Sequence, residues 1–265
     1  MLIIKVGGDN IKENFFDLYK EFSKIRNMGW IQSMRKGSTG IGYTFETLLN
    51  IQENSFAVPD YKGIEIKTMR ILSKNNIHLF NAEPDGDYLF HTQRILDKLG
   101  YPCKTKPEYK VFMSAATGKD YSYIGYSQKV KLEIDDDKKK VNLIAKDRHN
   151  NSIDVDISWS FDLLEKKLYI KNKYLAIVKA KKMIKDDIEY FHYVHIDFYM
   201  IKSFETFKEL IKEGIITVTF KINVYKDGEK EGRIDNHGTD FSIKANNINL
   251  LYEKIEIFKN LQKKN

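Results

Sequence analysis

The sequence predicts an α/β fold, or α+β in its broad sense: a mixed sheet flanked by helices, with a second, β-rich lobe. Three observations carry that prediction. Ile11, Phe15, Leu18, Phe22 and Ile25 recur at helical spacing over residues 11–28, and Gly29 offers a stop. From about 109 to 157 the chain turns to period-two alternation broken by turns, in YKVFMSAA, YSYIGY, KVKLEI, KVNLIAK and SIDVDIS. Beyond that block, helical and strand patterns alternate again, with a helix from Ser203 to Glu213 ended by Gly214 and then the strand IITVTFKINVY.

The remaining elements follow in order. IQSMRKGSTGIG is a polar turn whose glycines lack the Gly-Lys-Ser/Thr ending of a phosphate-binding loop, which argues against nucleotide binding. Arg35 and Lys36 within it are candidates for DNA phosphate contacts, a solvated loop being the equal alternative. A short helix from about Thr39 to Asn50 turns Ile41, Phe45, Leu48 and Leu49 inward and leaves Glu46 on its flank. Residues 77–80 read as a strand and 88–99 as a helix closed by Gly100 and Pro102. Residues 158–171 form a further helix that leads into YLAIVKAKKMI. That strand turns at Asp186-Asp187 into IEYFHYVHIDFYMI, a tight hairpin. A terminal amphipathic helix takes Ile248, Leu250, Leu251, Ile255, Phe258 and Leu261.

Composition sets the boundaries. A chain of 265 residues is one large domain or two lobes sharing a core, divided as 1–110 and 111–265. No apolar run approaches the roughly 18–20 residues of a membrane span, and the only cysteine, Cys103, excludes an intrachain disulfide and fits a reducing cytosol. The expectation is a soluble, cytoplasmic protein. A formal charge of +7 suits a DNA-binding enzyme without proving one, since phosphate contacts by Lys and Arg supply most non-specific affinity. His192 and His195 are three apart on a strand and point to opposite faces, which disfavours a shared zinc site.

The chemistry concentrates in Gly37 to Arg70. In Gly63-Ile64-Glu65-Ile66-Lys67-Thr68, strand alternation sends the isoleucines to a core and projects Glu65 and Lys67 together from the other side. Asp60 lies just before, across a Tyr61-Lys62-Gly63 turn that folds it back beside Glu65. Two carboxylates and an ammonium in one small volume suit a Mg²⁺ site for phosphodiester cleavage, because Mg²⁺ takes oxygen ligands and one or two carboxylates suffice. Asp60 and Glu65 are the expected ligands, Lys67 the residue that steers water and offsets charge on phosphorus, and Glu46 an outer ligand, a second-metal ligand or a partner of Lys67. On spacing alone an ordinary cross-face ion pair between Glu65 and Lys67 is an equal reading, and Asp137-Lys138-Lys139 is a rival that reads as a solvated hairpin turn.

The preceding segment shifts that balance. GSTGIGYTFETLLNIQEN followed by PDYKGIEIK resembles the MvaI/BcnI-type restriction endonucleases, relatives of the MutH mismatch-repair nicking enzyme in the PD-(D/E)xK nuclease superfamily. LYIKNKYLAIVKAKK, EYFHY, FKELIKEGIITVTFKINVY and GRIDNHGTDFSI have counterparts there in the same order, so the resemblance covers most of residues 30 to 255. It implies a restriction-endonuclease-like fold with DNA in a cleft between the lobes, and a monomer that cuts a short, CCNGG-like site in double-stranded DNA with Mg²⁺. It also implies 5′-phosphate ends and a cognate methyltransferase as genetic partner. The hairpin makes Lys179 and His192 candidate DNA contacts, a core or rim role being no less expected for each. The segment Arg233 to Lys244, read as a turn, is where the family keeps base-reading residues, within GR[LI]HDHGTxFRI, which makes Arg233, Asp235, His237, Thr239 and Lys244 the candidates. Asp235 stands for the first His, Asn236 for the Asp and Ser242 for the Arg, so the recognition sequence is expected to differ. A MutH-like nicking repair enzyme and a non-catalytic DNA-binding protein on the same scaffold are the alternatives.

Overall fold

A computed structural model describes residues 9–52, 58–125 and 127–257. In chain order the elements are α1 (Asp9–Asn27), β1 (Ile31–Gln32), α2 (Gly40–Leu48), β2 (Glu65–Arg70), β3 (Asn76–Asn81), α3 (Tyr88–Leu99), β4 (Tyr101–Pro102), β5 (Lys110–Ala116) and β6 (Ser122–Ile124). There follow β7 (Gln128–Asp135), β8 (Lys140–Asp147), β9 (Ser152–Ser160), α4 (Phe161–Asn172), β10 (Tyr174–Lys185) and β11 (Ile188–Ile201). The chain ends through α5 (Phe204–Lys212), β12 (Ile216–Val224), β13 (Ile234–Lys244), α6 (Ile248–Leu251) and β14 (Tyr252–Ile255). No helix among the described residues is long and apolar enough to cross a membrane.

The chain divides into two compact units, neither continuous in sequence: residues 1–75, 169–202 and 252–265 form the first, 76–168 and 203–251 the second. The division at residue 110 expected from the pattern of elements is therefore not that of the fold. The reason lies in strand pairing, since β10 returns from far along the chain to lie parallel to β2.

The first unit is built on the sheet order β1-β11-β10-β2, with β14 on β11; only the β2–β10 pairing is parallel, so the sheet is mixed as expected. One face is a core. Ile11, Phe15, Leu18, Phe22 and Ile25 of α1 and Ile41 and Phe45 of α2 pack with Ile64, Ile66, Ala176, Val178, Ala180, Phe191, Tyr193 and Phe198. Each large side chain buried there is worth about 1.5–3 kcal/mol. The Tyr193 hydroxyl donates to the Ile41 carbonyl at 2.7 Å, tying β11 to α2. At the tip of the β10–β11 hairpin Asp186 and Asp187 both take positive φ, 53° and 59°, the conformation a two-residue turn needs to match strand twist.

The second unit holds two antiparallel sheets, β3-β13-β12-β5-β4 and β6-β7-β8-β9. Trp159, fully buried, donates from Nε1 to the Ala82 carbonyl at 2.8 Å and meets Phe220 and Phe241. Asp87 caps α3 through the Phe90 amide, and Ser203 caps α5 through the Thr206 amide.

Three expected boundaries differ. The region 158–171 begins as strand, because β9 continues to Ser160 before α4 starts. Arg233 to Lys244 is mostly the strand β13 rather than a turn. The terminal helix stops at Leu251, and Tyr252–Ile255 becomes β14, since pairing with Phe198–Ile201 of β11 outweighs helical periodicity; Phe258 and Leu261 lie outside the described residues.

Candidate active site

The turn before β2 sets the geometry. Tyr61 and Ile64 bridge across Lys62 and Gly63, whose φ values of 45° and 86° reverse the chain. That reversal returns Asp60 to the strand, where its Oδ2 accepts the Ile66 amide at 2.8 Å. Ile64 and Ile66 enter the core, as alternation requires. Glu65 and Lys67 share the other face, yet that face is not solvated at Glu65, which is only 1% exposed. A strand paired in parallel to an interior neighbour is usually covered on both sides.

Glu65 is the centre of the constellation. Its Oε1 accepts from Lys67 Nζ at 2.5 Å and lies 3.4 Å from Lys171 Nζ, and the two lysine side chains remain 22% and 30% exposed. Burial is the largest influence on the Glu65 carboxyl and pushes it up to about 7; the Lys67 and Lys171 ammoniums pull the other way, while Asp60 adds to the rise. Its Oε2 is buried and has no hydrogen-bond partner among the described residues. The Tyr252 hydroxyl is likewise buried and unpartnered among them, and burial, with the Glu65 charge second, raises its phenol.

Asp60, Glu65 and Lys67 thus come together as expected. Glu46 has surroundings of its own. A Cβ on Gly42, one turn before it in α2, would sit 3.3 Å from Thr68 Oγ1 and 3.6 Å from Glu46 Oε1. Glu46 also bears on the Tyr193 phenol. Thr68 and Tyr193 belong to the Ile66 side of the sheet, the side against which Ile41 and Phe45 of α2 pack. The residues that sequence reasoning missed are Lys171 and Tyr252. Each is distant in sequence and carries no motif; the available signal for Lys171 was its place in LYIKNKYLAIV, at the helix end that feeds the strand beside β2.

A profile of the MvaI/BcnI restriction endonuclease family matches residues 19–252. The chain belongs to that family. It is similar to the solved structure of restriction endonuclease MvaI in complex with its cognate DNA substrate, with 28% identity and a TM-score of 0.82 over 92% of this chain and 98% of that one. It is also similar to MvaI in the absence of DNA, with 27% identity and a TM-score of 0.62 over 92% and 97%. A search of curated proteins finds no match. The enzyme is accordingly a type II restriction endonuclease, a DNA-binding hydrolase.

Restriction endonucleases generally use divalent metal ions, and the donor set here fits one. A buried carboxylate oxygen without a partner among the described residues, a second carboxylate beside it, and a carboxyl held up to about 7 by burial are what a hard cation would satisfy. Asp60 and Glu65 would hold it.

The expected DNA contacts have diverse surroundings. In the first unit the Arg35 guanidinium lies over the Tyr43 ring at 3.8 Å, and Lys36 beside it is exposed. Lys179 lies 3.9 Å from Asp197, which also takes His195 at 3.0 Å and Lys254 at 2.5 Å, and the His192 ring is 5.7 Å from that of Trp30. In the second unit Arg233 and Lys244 are exposed at the two ends of β13, and His237 Nε2 meets Asp235 Oδ2 at 3.1 Å. Thr239 departs from expectation: it is 4% exposed, inside the sheet, with its amide donating to Glu83 Oε1 at 3.2 Å. It supports the strand rather than facing a base. Asn236 is also engaged, donating to Thr92 Oγ1 and accepting from the Gly238 amide, both at 2.9 Å. Ser242, where the family pattern has Arg, is buried and accepts from Asn76 Nδ2 at 3.3 Å.

Proposed function

We propose that the enzyme makes Mg²⁺-dependent, sequence-specific cuts in double-stranded DNA at a short, near-palindromic site related to CCNGG, leaving 5′-phosphate ends. The observation that carries this reading is Glu65 itself: a buried carboxylate with one oxygen engaged by two ammoniums and the other without a partner among the described residues, next to Asp60. A bound divalent ion would polarise the phosphate and lower the pKa of a coordinated water. The protein's share is positional. The Ile66 amide fixes Asp60, burial fixes Glu65, and Lys67 offers an ammonium that offsets negative charge gathering on the phosphoryl oxygens.

The substitutions at Asp235, Asn236 and Ser242 support a target that differs from those of enzymes with the full HDH-and-Arg pattern. An Asp accepts from cytosine N4, whereas Arg reads guanine. The same reading takes the enzyme to act in the cytoplasm as a monomer alongside a methyltransferase that protects the host's own sites. MvaI is solved with its cognate DNA substrate, which supports a duplex as the ligand here. Incubating the purified protein with unmethylated phage DNA and Mg²⁺, then sequencing the ends, tests the proposal. Discrete ends sharing one short sequence are expected; intact DNA or sequence-independent degradation would sink it.

A further inference from the structure

We propose that the β6–β9 sheet, which carries none of the residues of the cutting site or of the Arg233–Lys244 segment, bears a separate contact for duplex DNA phosphates, formed by Lys129, Lys131 and Lys146 around Tyr121. The inference rests on the reading that the enzyme acts on duplex DNA. Lys129 of β7 lies directly opposite Lys146 of β8, and Lys131, two residues on, shares the face. Their ammoniums converge on one ring, at 5.0, 5.9 and 5.5 Å from the Tyr121 centroid for Lys129, Lys131 and Lys146. Lys129 also approaches Tyr123, at 5.8 Å, and donates to Asn150 Oδ1 at 2.5 Å. Among the described residues none of the three lysines makes an ion pair with a carboxylate.

Like charges facing each other across a strand pair repel, and the ring face offsets only part of that. The other end of the same strand pair is built differently: Asp135 faces Lys140 there, opposite signs on opposite strands. Positive charge is therefore concentrated at one end of the sheet; Glu133 follows Lys131 on the same face and Asp154 and Asp156 line the neighbouring hollow, yet among the described residues none of them forms an ion pair with these lysines. The three groups are close enough to act together, since salt screens only beyond about 8–10 Å. A DNA duplex, with one charge per roughly 1.7 Å of axis, supplies the matching density of anions. Tyr121, with ammoniums over its ring, is not open for an unstacked base, which favours backbone phosphates over a single strand.

The test uses the full chain in divalent-free buffer, with fluorescence anisotropy of a short duplex of random sequence titrated with salt. Neutralising each phosphate contact lowers the slope of log K against log [salt] by about 0.9. Lys129→Ser, Lys131→Ser and Lys146→Ser singly should each flatten the slope by about 1 and the triple variant by about 2–3, while Lys→Arg at all three keeps it. If the triple variant misfolds, as read by its thermal midpoint, the single variants decide. An unchanged slope in folded variants overturns the proposal, and so does an unchanged slope with lost retention of polyglutamate, which would assign the cluster to an acidic protein. An unaltered enzyme that binds no duplex at all would instead overturn the underlying reading.

Discussion

Lys171 Nζ stands 3.4 Å from Glu65 Oε1, the same oxygen that accepts from Lys67 Nζ at 2.5 Å. One carboxylate oxygen is thus served by two ammoniums, one from its own strand and one from the last turn of α4. Lys171 acts through Glu65 and is a positioning residue. Removing it withdraws one of the charges that oppose burial, so the Glu65 carboxyl should rise further. Lys171→Ala is expected to lower cleavage near pH 7 by about 10–100-fold, the range typical of groups that support a metal ligand. The loss should shrink as pH rises, and Lys171→Arg should recover most of the rate. A full pH–rate profile checks this; an equal loss at every pH would reduce Lys171 to a structural role.

Lys67 and Glu65 themselves are expected to be indispensable. Glu65→Ala and Lys67→Ala should each lower the single-turnover cleavage rate by at least about 10²–10³-fold, the scale of losing one preorganised electrostatic group. Binding of the cut site, measured by gel shift, should survive in both. Glu46→Ala should have a much smaller effect, because the Gly42 backbone and the Tyr193 phenol that surround Glu46 belong to the side of the sheet that carries Ile66. Cleavage lost to the same extent in all three would undo that separation.

Much of this was legible in the sequence, for reasons that are local. The Tyr61-Lys62-Gly63 reversal, the alternation through Ile64 and Ile66, the α3 and α5 helices and the Asp186-Asp187 turn are written in neighbouring residues. What stayed hidden depends on residues far apart. Alternation shows that Glu65 faces away from Ile66, but only the return of β10 and the approach of Tyr252 decide that it is buried. Lys171 lies 106 positions from Glu65 and belongs to no pattern with it. The helical spacing after Ile248 was real and still lost to strand pairing from Tyr252 onward.

Asn236 should prove a clamp rather than a reader. Its amide group spans Thr92 Oγ1 and the Gly238 amide, where φ of 82° makes the glycine necessary. Asn236→Ala breaks both bonds and should cost about 1–2 kcal/mol of stability. It should also loosen Asp235 and His237, which pair on the strand to either side. Sequencing the ends of digested phage DNA would then show additional, degenerate sites. A destabilised variant with an unaltered site would mean that the clamp carries no specificity.

The raised Glu65 carboxyl makes a prediction about the metal-free protein. Its folded value of about 7 lies above the ordinary 4.5, so the folded chain holds this proton more tightly than the unfolded chain. Stability from this group is therefore fully present below about pH 4.5 and is lost progressively as pH rises through about 7. A shift of this size corresponds to a difference on the order of 3 kcal/mol. Glu65→Gln cannot ionise and should lack that slope, so the variant's thermal midpoint should gain on that of the unaltered enzyme between about pH 5 and 8 in chelator. A divalent ion needs the carboxylate, so adding one at about pH 8 should raise the midpoint of the unaltered enzyme and leave Glu65→Gln nearly unmoved. Calorimetry across that range checks both statements, and parallel curves for the two proteins in chelator would mean that burial does not hold the Glu65 proton.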